Sequence, residues 1–289
     1  FPSAFSDYLA APDPGKFYDR YPYDVSPVGD NRPFFFYTVQ PRDLVDFLKN
    51  AYQSSADYKI NKAVPLLFGL VGVSVLATLI TLALPPLVLG TRLPREKGVR
   101  RFLIYFLAIG VGYILIQVAL IQKFVLFLGH PTYALTVIIF SMLVFSGVGS
   151  FYSKRMIGGR FGQWQKLLLA VAGLVFWLAL VAVPVTSFGV GWALWVKVLV
   201  SMVLIAPAGF AMGMPFPTGL AYLEQKHAPS VRWAWSLNAA SSVMGSAMSM
   251  FLALYLGLLQ TLFVGSALYL VALWVVRGEQ ALREGVAPA

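Results

Sequence analysis

Phe102 to Gln122 read FLIYFLAIGVGYILIQVALIQ, a run without a single charged side chain. An α-helix rises about 1.5 Å per residue, so a run of this length reaches across the roughly 30 Å hydrocarbon core of a bilayer. Outward from it, apolar runs of similar length recur near 63–90, 132–153, 167–187, 191–213, 233–256 and 259–276. The expected fold is all-α: a polytopic transmembrane helix bundle of about seven spans over 63–289, behind a short, mostly irregular polar segment over 1–62. Pro85-Pro86 should break or end the first run. Gly and Pro interrupt the pattern around 124–131 and 205–221, where half-buried or re-entrant pieces are expected.

Composition supports that reading. The chain is 58% hydrophobic and only 12% charged, where soluble domains carry about 25% charged residues. A chain this apolar cannot hide its surface in one globular core, so the bilayer is its expected solvent and first partner. The net charge of +10 comes from short loops between apolar runs. That placement is a topology signal, not a basic face for phosphates, and no nucleic-acid partner is expected. The absence of cysteine excludes disulfides, zinc–thiolate sites and iron–sulfur clusters.

Residues 1–62 hold eight of the twelve acidic residues, all Asp, against seven Lys and Arg. Turn signals are dense, as in Asp13-Pro14-Gly15 and Gly29-Asp30-Asn31, so this segment reads as loop with one short helix near 41–53. It looks like the edge of something larger.

The loops set an orientation. Arg92, Arg95, Lys97, Arg100, Arg101, Lys154, Arg155, Arg160, Lys166, Lys226, Arg232, Arg277 and Arg283 fall on one side, and the alternate loops offer little beyond Lys123. The positive-inside rule then places the C-terminus in the cytoplasm and the N-terminal segment outside a bacterial inner membrane. Trp192, Trp195, Trp233 and Trp235 flank spans as interfacial anchors.

Inside the spans, small residues recur at four-residue spacing: Ser146 and Ser150, Gly209 and Gly213, Ser242 and Ser246, Gly245 and Ser249. Such pairs let helix backbones approach closely, and they can equally line a solute path. Gln117, Lys197 and Asn238 form the candidate intramembrane polar site. An intramembrane Lys is a functional-site hypothesis, yet Lys197 lies near a helix end and can snorkel to the headgroups. Interhelical hydrogen bonds account for both amides. Convergence of the three on one water-accessible cavity would mark a transport path, and separate lipid or protein contacts would speak for packing.

His130 and His227 are expected at opposite membrane faces, which excludes a bis-His haem or a two-His metal site within this chain. No nucleophile–base set and no phosphate-cradling Gly loop is present, so no cofactor is expected and no catalytic residue can be named.

Three stretches carry a resemblance: Asp30-Asn31-Arg32-Pro33-Phe34-Phe35-Phe36; Phe127-Leu128-Gly129-His130-Pro131-Thr132-Tyr133-Ala134, leading to Phe145-Ser146-Gly147-Val148-Gly149-Ser150; and Gly213-Met214-Pro215-Phe216-Pro217-Thr218-Gly219 with Trp233 to Val243. Together they resemble the C-terminal region of bacterial polytopic spermidine synthase-like proteins, in which a methyltransferase-type Rossmann domain is fused to membrane helices. The resemblance marks His130, Pro131, Pro215 and Pro217 as motif positions and implies that 1–62 trails a nucleotide-binding domain absent from this chain. The catalytic parts of polyamine synthases lie outside the resemblance, so none is carried over. Where that family favours Glu, this sequence has Gln117, which removes a titratable group from the span. A domain using a cytosolic donor would face the cytoplasm, whereas the loop charges put 1–62 outside. The charges take precedence, being thirteen against one.

The functional expectation is a membrane anchor, scaffold or subunit of a larger membrane complex, partnered by other subunits or by the missing Rossmann-type domain. A transporter domain for a polyamine or another small metabolite is the alternative. A third possibility is the membrane part of an aminopropyl- or methyltransferase completed by that domain.

Overall fold

The structure, a computed structural model, describes residues 4–34, 39, 40, 43, 63–89 and 99–284. The short helix expected near 41–53 and the loop cations Arg92, Arg95 and Lys97 fall outside the described residues, Asp43 apart. The chain divides into two compact units, Phe1–Gly72 and Val73–Ala289.

The first unit holds two short helices, α1 (Ala4–Ala10) and α2 (Pro14–Arg20), where mostly loop is expected from the sequence. The signal Asp13-Pro14-Gly15 starts a helix. Asp13 is the N-cap, its carboxylate accepting from the Gly15 amide at 2.9 Å, and Pro14 occupies the first turn, where its missing N–H costs nothing. Aromatic rings hold the pair together, with Tyr8 and Phe17 at 5.4 Å and Phe17 and Tyr21 at 5.4 Å between centroids. The Tyr18 hydroxyl donates to Tyr8 at 3.1 Å, and that bond holds the Tyr18 phenol above its ordinary pKa. The Gln40 side-chain amide donates to the carbonyls of Tyr18 and Tyr21, at 2.9 and 3.3 Å.

Helix α3 (Ala63–Leu89) spans the division between the units. It is described as far as Leu89 and runs unbroken through Pro85-Pro86, so of the expected break or end the break does not occur, and an end beyond Leu89 lies outside the described residues. The second unit continues with α4 (Val99–Leu128), α5 (Pro131–Ile157), α6 (Phe161–Phe188), α7 (Leu194–Met212), α8 (Pro215–His227), α9 (Val231–Tyr255) and α10 (Leu258–Arg283). Single 3₁₀ turns at Gly189–Gly191 and Ala228–Ser230 complete it, and no strand occurs among the described residues.

The interruption expected over 124–131 shrinks to a tight corner. α4 stays helical to Leu128, Gly129 turns the chain at φ 82°, and His130 caps α5 by accepting from the Thr132 amide at 3.2 Å. Pro131 fills the first helical position, where proline's fixed φ suits a helix start. The interruption expected over 205–221 is a true break: α7 ends at Met212 and α8 begins at Pro215.

Five segments among the described residues are long and apolar enough to cross a membrane: Arg101–Leu128, Pro131–Ile157, Phe161–Gly191, Leu194–Tyr255 and Leu258–Arg283. The fourth contains both α7 and α9, and α3 carries a shorter apolar stretch, Leu66–Ile80. The chain is a polytopic membrane helix bundle. Its surface fits: Phe151 and Phe188 are 81% and 84% exposed, and Leu135, Phe140, Leu169 and Val203 also face outward. These are the side chains that a hydrocarbon solvent accepts without cost.

α4 is the central helix, packed on α10, α9 and α5, while α6 packs on α10 and α5 on α7. Its Phe102, Tyr105, Phe106, Ile116, Leu120 and Phe124 are fully buried. Glycines set the closest approaches. A Cβ on Gly149 would overlap the Phe210 carbonyl of α7, and one on Gly213 would overlap the backbone of Ser146 on α5. Gly245 of α9 sits where a Cβ would stand 3.1 Å from the Val111 Cα of α4.

Candidate functional site

The break between α7 and α8 organises the site. Pro215 has no N–H to continue a helical ladder, so the chain turns at Gly213 and Met214 and restarts with Pro215 in the first turn of α8. Thr218 supports the restart, its hydroxyl donating to the Met214 carbonyl at 2.8 Å. A relay from two other helices clamps it: Trp164 Nε1 of α6 donates to the Tyr105 hydroxyl of α4 at 3.1 Å, and that hydroxyl donates to the Pro215 carbonyl at 2.7 Å. Phe216 is held edge-on by Phe106 and Trp235, with centroids at 5.8 and 4.7 Å.

Beside the break lies a cavity of about 380 Å³. Tyr113 of α4, Ser146 and Ser150 of α5, Gly213, Phe216 and Pro217 of the break, and Asn238 and Ser242 of α9 line it, with Tyr269 behind. None of the described residues lining it is charged. The Tyr113 hydroxyl stands 3.4 Å from Ser146 Oγ, and Ser242 donates to its own helix at the Asn238 carbonyl, 2.8 Å away. The arrangement brings hydroxyl and amide groups from α4, α5 and α9 together with the aromatic rings of Tyr113, Phe216 and Tyr269. Its size and hydrogen-bonding groups suit a small neutral molecule.

Of the candidate intramembrane residues, Asn238 alone lines this cavity. Gln117 is half-buried elsewhere on α4, and Lys197 places its Nζ 5.6 Å from the Phe127 ring centre, near the start of α7. The three do not converge. Among the motif positions, His130 and Pro131 build the α4–α5 corner, Pro215 receives the Tyr105 hydrogen bond, and Pro217 borders the cavity. The small-residue pairs serve both readings: Gly213 and Gly245 make backbone approaches, and Ser146, Ser150, Gly213 and Ser242 also border the void.

Three features escape a reading of the sequence. Tyr113 resembles any aromatic residue in a span, and Gly110, whose Cβ would stand 2.9 Å from Asn238 Oδ1, looks like any small residue. The third is ionic. The last apolar run ends near 276, yet α10 stays helical to Arg283, and Glu279 within that extension is 3% exposed. Glu279 accepts from the Tyr222 hydroxyl at 2.8 Å and pairs with Lys226, both on α8. Nearby, Arg283 lies 5.7 Å over Phe161 and 5.8 Å over Tyr222, while the Arg101 guanidinium sits 4.1 Å over Trp274. A Glu–Lys pairing across 53 residues leaves no local signal.

Comparison with family models, with curated proteins and with solved structures gives no match.

Proposed function

We propose that the chain is the membrane moiety of a spermidine synthase-like polytopic protein, acting as anchor and scaffold within a larger membrane assembly. The observation that carries this reading is the way the bundle is closed. Backbone approaches at Gly149 and Gly213 join α5 to α7, and Gly245 joins α9 to α4. Contacts without side-chain freedom resist the shear that a moving carrier needs. Gln117 and Lys197 lie away from the cavity beside the helix break, as a packing role requires. The loop charges favour an inner-membrane topology with residues 1–62 outside and the C-terminus in the cytoplasm. Peptide mapping by mass spectrometry, on the native protein extracted in mild detergent and sized by native electrophoresis, tests the proposal. It predicts peptides of a nucleotide-binding domain upstream of Phe1, or a stoichiometric partner subunit. A native polypeptide starting at Phe1 and migrating as a lone monomer would refute it.

The cavity beside the helix break favours a second reading, a binding chamber for a small solute. Interrupted helices line substrate sites in many carriers. The uncharged lining points to a neutral, hydrogen-bonding solute and away from a polyamine, whose ammonium groups would need carboxylates. Proteoliposomes containing the chain should swell in glycerol faster than those containing Asn238→Leu. Equal rates would sink this reading.

A further inference from the structure

The end of the bundle where α5 finishes and α6 begins holds a much larger cavity, about 990 Å³. Its walls come from α5 and its cap (Ser153, Lys154, Ile157), from Trp164 of α6, from α8, and from Arg283 of α10. The polar groups on these walls are mostly committed. Ser153 donates to the Ser150 carbonyl at 2.7 Å, Thr218 to Met214 at 2.8 Å, Tyr222 to Glu279 at 2.8 Å, and Trp164 to Tyr105 at 3.1 Å. The remaining charges facing the space are the Lys154 ammonium and the Arg283 guanidinium, against the single carboxylate of Glu224. Neither cation is ion-paired among the described residues. The floor is apolar and packed into the bundle, with Trp164 and Ile157 only 2% and 4% exposed.

Two cations on separate helices above an apolar, aromatic floor suit a phosphate carried by an apolar body. The neighbouring surface of α5 supplies a track for that body, since Phe151 and Met156 are exposed to the surroundings of the bundle. We propose that this cavity binds the phosphate of an anionic phospholipid, with Lys154 and Arg283 on the phosphate and an acyl chain along Phe151. Basic pockets between membrane helices recognise such headgroups by the same combination of charge and adjoining lipid-facing surface. This site shares neither cation nor purpose with the cavity at Asn238, and it does not depend on the scaffold reading.

Native mass spectrometry of the full chain in neutral detergent, titrated with dioleoyl phosphatidylglycerol, tests it. Removing a cation at such a surface weakens lipid attraction about five-fold, so the double variant Lys154→Gln/Arg283→Gln should need roughly thirty-fold more lipid for equal occupancy. The charge-conserving Lys154→Arg/Arg283→Lys should stay within a few-fold of wild type, which separates charge from folding. Arg155→Gln, next in sequence but outside the lining, should match wild type. Equal occupancy by phosphatidylcholine, or an unchanged titration in the double variant, overturns the proposal. Displacement of the lipid by millimolar glycerol 3-phosphate would overturn the lipid source and assign the site to a soluble phosphate compound.

Discussion

Gly149→Ala is the sharpest probe of how this bundle is held. Residue 149 is buried on α5, and an added Cβ would overlap the Phe210 carbonyl oxygen and stand 2.9 Å from its carbon. The obstacle is backbone, so no rotamer change relieves it. The carbonyl oxygen sets the displacement: restoring a carbon–oxygen separation of about 3.2 Å requires the α5–α7 pair to part locally by roughly 1.3 Å, and gaps of about 1 Å already forfeit about half of the dispersion well for an atom pair. Overpacking of this kind costs about 1–3 kcal/mol. Alanine returns up to about 1 kcal/mol because glycine is the poorer helix former. The net loss is about 1–2 kcal/mol, a fall in Tm of about 2–4 °C for a chain of this size. Gly147 is the internal control: it lies two residues away on the same helix, and a Cβ there would meet nothing within 4 Å. Gly147→Ala should therefore leave Tm unchanged or raise it by a few degrees. Thermal unfolding followed by intrinsic fluorescence in one detergent measures both. Equal shifts for the two variants would refute backbone contact at Gly149 as a determinant of the fold.

Tyr105→Phe removes the hydroxyl that links Trp164 to the Pro215 carbonyl, leaving a buried indole N–H and a buried carbonyl unpaired. A loss of about 2–3 kcal/mol is expected in the same unfolding assay, with proteolysis concentrated at the α7–α8 break, and a neutral outcome would mean that the aromatic walls hold the break unaided. Lys226→Met strips the cation from the buried Glu279 and should cost about 2–3 kcal/mol, whereas adding Glu279→Gln should recover much of that loss, because no charge is then left unpaired. Additive losses in that cycle would show that the two side chains do not interact.

Much of the fold is legible in the sequence because the bilayer imposes a length. Runs such as 102–122 and 132–153 need nothing beyond their own residues to be read as spans, and both lie within single helices. Segment ends are less legible, because hydropathy registers a charge and cannot register its partner. Glu279 looks like the start of a solvated tail until Lys226 and Tyr222 are seen beside it. Asp13-Pro14-Gly15 poses another ambiguity, since the residues that turn a chain are those that start a helix. The next turn of chain resolves it, with Lys16 to Arg20 continuing as α2.

The candidate site is legible in its parts and not in its assembly. Asn238, Ser146, Ser150 and Gly213 stand out in the sequence as polar or small residues within apolar helices, and the structure brings them to one cavity. Gln117 and Lys197 stand out by the same logic and lie elsewhere. The difference is rotational phase. A soluble amphipathic helix declares its buried face through the spacing of its apolar residues. Helices apolar on every side carry almost no such signal, so which polar residue turns inward is settled by the neighbours. Here glycines choose the neighbours: Gly213 fixes α7 against Ser146, and Gly110 brings α4 up to Asn238. The cavity is what those close approaches leave between α5 and α9. Enlarging either glycine should therefore reshape the chamber, at Gly110 by pressing on Asn238 itself and at Gly213 by displacing the backbone of Ser146, which ties the Asn238 site to the scaffold around it.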